Sequence, residues 1–175
     1  MFGYLGEGGA IQNLGVSGSV AGGVVVGGVV GNNDGTVSDC YNTGDVIGSY
    51  ANVGGVVGLN CGTVSGSYNT GDVIGSDANV GGVVGNNDGT VSGSYNSGDV
   101  TGNDFVGGVV GWNSSGDVID CYNTGTVSGG SGVGGVAGSN SGKGEVIESY
   151  NIGSIEGEQD VGGAVGYNYG TVTNC

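Results

Sequence analysis

The sequence predicts an all-β chain wound as a parallel β-solenoid, or β-helix. It has about 27 residues and three short strands per coil, with roughly seven coils of which the first and last are partial. Three observations carry this reading. One glycine-rich phrase returns at near-constant spacing: VGGVVGNNDG from Val26, VGGVVGLNCG from Val53, VGGVVGNNDG from Val80, VGGVVGWNSS from Val106, VGGVAGSNSG from Val133 and VGGAVGYNYG from Val161. β-branched residues are dense and are separated by Gly, Asn and Asp turns, the punctuation of short strands. No apolar face has a helical period, and glycine, 47 of 175 residues, costs a helix about 1 kcal/mol at each interior site.

The six starts lie 27, 27, 26, 27 and 28 residues apart. That period is too short for a propeller blade of ~40 residues. It suits one solenoid coil stacked at the ~4.8 Å strand spacing, so the whole array would be a rod roughly 30 Å long. One repeat domain is expected over 1–175, with coils starting near 1, 26, 53, 80, 106, 133 and 161. A right-handed winding is expected, because parallel crossovers are strongly biased that way.

Within a coil the elements follow in order. VGGVVG is a strand, closed by a polar turn such as Asn32–Gly35. TVSDCYN forms the second strand and runs to a Thr-Gly turn. DVIG forms the third, and a loose connector (SYAN or SDAN) leads to the next copy. A degenerate earlier copy runs from Gly8 to Gly23, where Ile11 matches Val37 and Val20 matches Val46.

Aligned copies form columns. The columns of Val26, Val37 and Val46 are β-branched throughout and make the expected core. The Ile47 column continues as Ile74, Thr101, Ser128 and Glu156, so it faces water. Alternation places Val26, Gly28 and Val30 on one side. Val29 and its mates Val56, Val83, Val109 and Val136 then point outward. Either the strand bends at the glycines, or an apolar stripe is exposed to a partner.

Two asparagine columns are equally regular: Asn33, Asn60, Asn87, Asn113, Asn140 and Asn168, and Asn42, Asn69, Asn96, Asn123 and Asn151. Stacked amides in register hydrogen-bond from coil to coil. Tyr41, Tyr68, Tyr95, Tyr122 and Tyr150 run beside the second column. Their expected role is ring-on-ring packing; an aromatic ligand platform is the alternative.

Charge narrows the partners. Lys143 is the one base against 16 acids, for a net charge of −15. Nothing here neutralises phosphates, so nucleic acid is not expected as a partner. No run of ~18 apolar residues is present, so no transmembrane helix or membrane insertion is expected. Met1 is followed by FGYLGEGG, with neither the basic nor the apolar region of a secretory signal.

The same charge balance narrows the chemistry. Without histidine or arginine the usual triads and phosphate clamps cannot be built, and no enzyme activity is expected. The carboxylates of Asp45, Asp72 and Asp99 fall in one column, where they read as solvated turn residues. They are also weak calcium candidates, since calcium takes several oxygen ligands; no other cofactor is expected. Cys40, Cys121 and Cys175 share a column with Ser67, Ser94 and Ser149. They stand two or three coils apart, beyond the ~7 Å limit for bridging Cα atoms. Free, buried thiols are expected there. Cys61 sits in a turn and is the candidate for an intermolecular thiol link.

The consensus VGGVVGxNxGTVxxxYNTGDV resembles the GLUG-type repeat of bacterial surface and secreted proteins, including large immunoglobulin A-cleaving metallopeptidases. The opening FGYLGEGGAIQNLGV is similar to the start of such arrays. The resemblance implies an extracellular or bacterial cell-surface setting and carries no activity, and no HExxH motif exists here. The function expected is a non-enzymatic structural repeat module, a rigid spacer or display stalk. Its partners would be neighbouring domains of a larger surface protein or copies of itself joined end to end. The alternatives are an adhesin-type module binding glycan or host protein, and a subunit of a self-assembling extracellular fibre.

Overall fold

The structure, a computed structural model, describes residues 2–175. They form a β-solenoid of about six turns without a helix, and every strand pairing is parallel. Register follows the repeat: Val57 lies beside Val84, Val84 beside Val110 and Val110 beside Ala137.

The three segments legible in each repeat resolve into five short strands. In the coil of Val80 these are Ala78–Gly81, Val84–Asn87, Thr90–Ser92, Tyr95–Asn96 and Val100–Thr101. The first phrase splits because the chain turns at its glycine pair. The second splits at a left-handed residue: Asp39 (φ 53°), Gly66, Gly93, Asp120 (φ 53°) and Glu148 (φ 50°) hold the same place in successive coils. Asp and Gly are the residues that tolerate this region most readily. The strands stack into two seven-stranded ladders, one six-stranded ladder and a longer one that holds both the first and the last strand of each coil. Seven strands in a ladder make six steps, or roughly 30 Å.

The bend at the glycines decides the fate of Val29. Its column turns inward: Val29, Val56, Val83, Val109 and Val136 are all fully buried. They join Val30 and Val37 and their mates in one apolar strip, while the Val26 and Val46 columns form a second. Each buried valine contributes roughly 1.5 kcal/mol relative to exposure. Ile47 and Ile74, by contrast, are each 42% exposed.

Both glycines of the pair make room. A Cβ on Gly81 would collide with the Val84 carbonyl oxygen and lie 2.6 Å from the Gly111 nitrogen. At this point two backbones of different coils touch. A Cβ on Gly82 would strike the Gly108 carbonyl oxygen of the next coil and, on the other side, the Asn96 side chain. Both glycines thus permit close backbone approach between coils, and the second also admits an asparagine ladder.

Candidate functional site

The Asn33 column is a continuous amide ladder. Asn33 Nδ2 donates to Asn60 Oδ1 at 2.7 Å, Asn60 to Asn87 at 2.8 Å and Asn87 to Asn113 at 2.8 Å. It continues from Asn113 to Asn140 and from Asn140 to Asn168, each at 2.9 Å. The Asn42 column is a second ladder, with 2.8–2.9 Å steps from Asn42 to Asn69, Asn96, Asn123 and Asn151. In both ladders the amide NH₂ also donates to backbone carbonyls of a turn, such as Gly89 and Gly98. Every buried polar atom on this path has a partner, which burial demands. Asn113, although part of an Asn-Ser-Ser sequence, is fully buried in its ladder.

The tyrosine rings stack along the outside of the second ladder. Centroids of Tyr41, Tyr68, Tyr95, Tyr122 and Tyr150 are 5.1, 4.8, 4.9 and 5.3 Å apart, with planes within 7°. Packing between neighbours pushes the Tyr95 phenol up from its ordinary value, burial being the larger cause and the Tyr122 and Tyr68 phenols the smaller. The faces are consumed by one another. Along the stack only edges and hydroxyls remain for a ligand, the outer face of the end ring Tyr150 excepted.

Asp45, Asp72 and Asp99 stand one per coil on the exposed side. Asp72 Oδ1 accepts the Asp99 N–H at 3.2 Å, and Asp99 Oδ1 accepts the Thr126 N–H at 2.9 Å. Each carboxylate is thus engaged with backbone of the coil that follows. Among the described residues no three His, Cys, Asp or Glu side chains converge as metal ligands.

All four cysteines are free thiols; Cys40 and Cys121 are buried, whereas Cys61 and Cys175 are exposed. Cys175 therefore departs from the buried thiols expected of its column, because no further coil of the described residues covers it. Within the column, sulfur and hydroxyl interchange. Cys121 Sγ donates to the Ile119 carbonyl at 3.1 Å as Ser94 Oγ donates to Ser92 at 2.9 Å. Burial pushes the Cys121 thiol up to about 11. Cys61 is also raised, by burial first and then by Asp34 and Asp88. Since the thiolate is the nucleophile, Cys61 is expected to react with iodoacetamide at neutral pH more slowly than free cysteine. Its rate should still be rising past pH 9. Peptide mapping after timed alkylation checks this, together with protection of Cys40 and Cys121 in the folded protein.

One feature of the structure has no counterpart in the regular columns. A cleft of about 540 Å³ opens beside Asp104, Phe105, Trp112, Ser139, Ser141 and Tyr167, with Ser131 and Tyr169 at its margin. Phe105 packs 6.5 Å from Trp112 and edge-on 6.0 Å from Tyr167. Trp112 Nε1 donates to Ser141 Oγ at 2.7 Å. The Tyr167 phenol is raised by a hydrogen bond and charge from Asp160, the largest of its causes. These residues were missed because Ser139, Ser141 and Tyr167 belong to the two coils after that of Phe105 and Trp112. The available signal was departure from the repeat: Trp112 and Tyr167 occupy the column of Asn32, Leu59 and Asn86.

Phe105 is the most unusual member. Its φ is +51°, in a column otherwise filled by Asn52, Asn79, Gly132 and Asp160. A bulky residue there costs roughly 1–2 kcal/mol of backbone strain. Asn79 Nδ2 donates to Asn52 Oδ1 at 2.9 Å, and Phe105 ends that short ladder. Phe105→Asn is expected to leave the thermal midpoint unchanged or higher. The relieved strain offsets roughly 0.5–1.5 kcal/mol of lost aromatic contact, and a fall of more than about 5 °C in a circular-dichroism melt would contradict this.

Comparison with known proteins agrees with this architecture. The family model described as "The GLUG motif" matches residues 22–47 and 106–128. No curated protein matches the sequence. A crystal structure from Bacteroides ovatus, described as "a putative immunoglobulin A1 protease", is similar in fold, with a TM-score of 0.64 and 22% sequence identity. The similarity covers 96% of this chain but 57% of that one, so the chain spans little more than half the length of that protein.

Proposed function

We propose that this array of GLUG-type repeats is a non-enzymatic structural module, a rigid spacer of a bacterial cell-surface or secreted protein. The carrying observation is the unbroken passage of the asparagine ladders and valine strips from coil to coil. Such a stack gains stability repeat by repeat and lengthens by ~4.8 Å per coil without a change of design. The polar groups that line up are spent on one another rather than aimed at a common point.

Excision of one repeat tests the reading. Val53 pairs with Val80, 27 positions on, so deleting Gly54–Val80 joins Val53 to Gly81 in register. A folded product with the same β spectrum and a lower midpoint is the expected result. An aggregated or unfolded product would contradict a modular scaffold.

A second reading, end-to-end association, is favoured by the terminal coils. Phe2 at one end and Val161 at the other are each 45% exposed, beside unpaired strand edges. Such edges are templates for further strand pairing. Sedimentation velocity over a range of concentrations, with and without reductant, separates open-ended growth from thiol-linked dimers and from a lone monomer.

A further inference from the structure

We propose that the cleft between Trp112 and Tyr167 binds a neutral carbohydrate. The inference goes beyond the scaffold reading and concerns the part of the molecule that scaffolding leaves unexplained.

The first support is where the repeat is broken. Ala78 pairs with Asp104, 26 positions on, so one residue is missing just before Phe105. The turn after the inner asparagine spans three positions from Asn87 to Thr90. It spans four from Asn113 to Asp117 and five from Asn140 to Glu145. It returns to three from Asn168 to Thr171. The two connectors that follow the shortened one keep its length, the first of them supplying Ser131 to the cleft, and the longest of these turns supplies Ser141. A strained Phe105 stands at the same place. Irregularity gathered around one cavity, in a chain otherwise written to a template, marks a built site.

The second support is shape. Trp112, Ser139 and Tyr167 are consecutive members of one column. The two aromatic positions are therefore two strand spacings apart, roughly 9–10 Å, with a small residue between them. Phe105 walls the side.

The third support is chemistry. Sugar rings present C–H faces that stack on indole and phenol rings, and a rim of hydroxyls that need partners. The cleft supplies aromatic faces together with the carboxylate of Asp104 and the hydroxyls of Ser131, Ser141 and Tyr167, of which Ser141 already accepts from Trp112 and Tyr167 is already bonded to Asp160. No basic residue lines it and the chain carries −15, which disfavours uronic acids and other anionic glycans. A quaternary ammonium fits less well. Phe105 touches both neighbouring rings rather than enclosing a common centre with them, as an aromatic cage for a cation requires.

The test uses an internal probe, because Trp112 is the only tryptophan. Its emission is followed while the full chain is titrated with cello-, laminari-, manno- and malto-oligosaccharides. Polygalacturonate and tetramethylammonium are titrated in parallel. A saturable change with at least one neutral oligosaccharide is expected. Phe105→Asn and Tyr167→Ser should each weaken it by roughly tenfold, the worth of about one aromatic contact. Tyr68→Ser, on the stacked ladder, should leave it unchanged. Circular dichroism confirms that each variant is folded. Silence towards every neutral oligosaccharide would overturn the proposal. So would a response confined to tetramethylammonium or polygalacturonate, or one that survives both cleft variants. The excision experiment tests the scaffold reading separately, so either can fail alone.

Discussion

Gly81→Ala is expected to destabilise the centre of the stack by at least about 3 kcal/mol, the upper range for overpacking. The added methyl would meet backbone on both sides: the Val84 carbonyl oxygen in its own coil, and the Gly111 nitrogen, 2.6 Å away, in the next. Neither can swing aside as a side chain would, because each belongs to a hydrogen-bonded strand. Gly163→Ala, at the second glycine of the last coil's pair, provides the control. Its Cβ would meet nothing within 4 Å, and the loss of unfolded-chain freedom is worth up to about 1 kcal/mol in its favour. Thermal melts of the two variants decide the matter. Equal midpoints would mean that the glycine pair does not serve close backbone approach.

The second large effect is expected at Asn87. Its Oδ1 accepts from Asn60 Nδ2, and its Nδ2 donates to Asn113 Oδ1 at 2.8 Å and to the Gly89 carbonyl at 3.1 Å. Asn87→Asp keeps the shape and reverses the chemistry. An ionised, fully buried carboxylate would face two oxygens with no proton to give. The expected loss at neutral pH is about 3–5 kcal/mol. Burial and oxygen neighbours raise the folded-state pKa of this new acid above its unfolded value of about 4. The charge penalty is therefore absent below the unfolded pKa. It grows as pH rises towards the folded one and is constant beyond it. Asn87→Ala loses the same bonds without a charge, so the difference in stability between the two variants should widen from pH 3 to pH 7. A difference independent of pH would show that the carboxylate escapes to solvent.

The architecture was legible because its causes repeat. A column such as Val37, Val64 and Val91 states the same burial in every coil, and Asn33 with Asn60 and Asn87 the same hydrogen bond. Val29 was ambiguous, since period-two alternation assumes an extended strand, and the sharp turn at Gly27–Gly28 depends on the coil stacked against it. The division of TVSDCYN was hidden for a related reason. Asp39 and Glu148 adopt left-handed backbone because the ladders on either side hold them there. The cleft was least legible. Only the folded register brings Tyr167 to Phe105 and Trp112, and a reading built on shared columns discounts the residues that depart from them.

Those departures matter to folding as well as to binding. A coil displaced by one whole repeat would still bury its valines, mate its asparagines and stack its tyrosines. The regular residues therefore give each segment a good fit in several places, the degeneracy that permits alternate pairings and swapped strands. What removes the ambiguity is the idiosyncratic minority. Trp112 has its hydroxyl partner only in the turn of Ser141, and the 26- and 28-residue spacings fit only where they occur. In a chain of near-copies, the irregular residues serve as addresses, and homogenising the array would erase them.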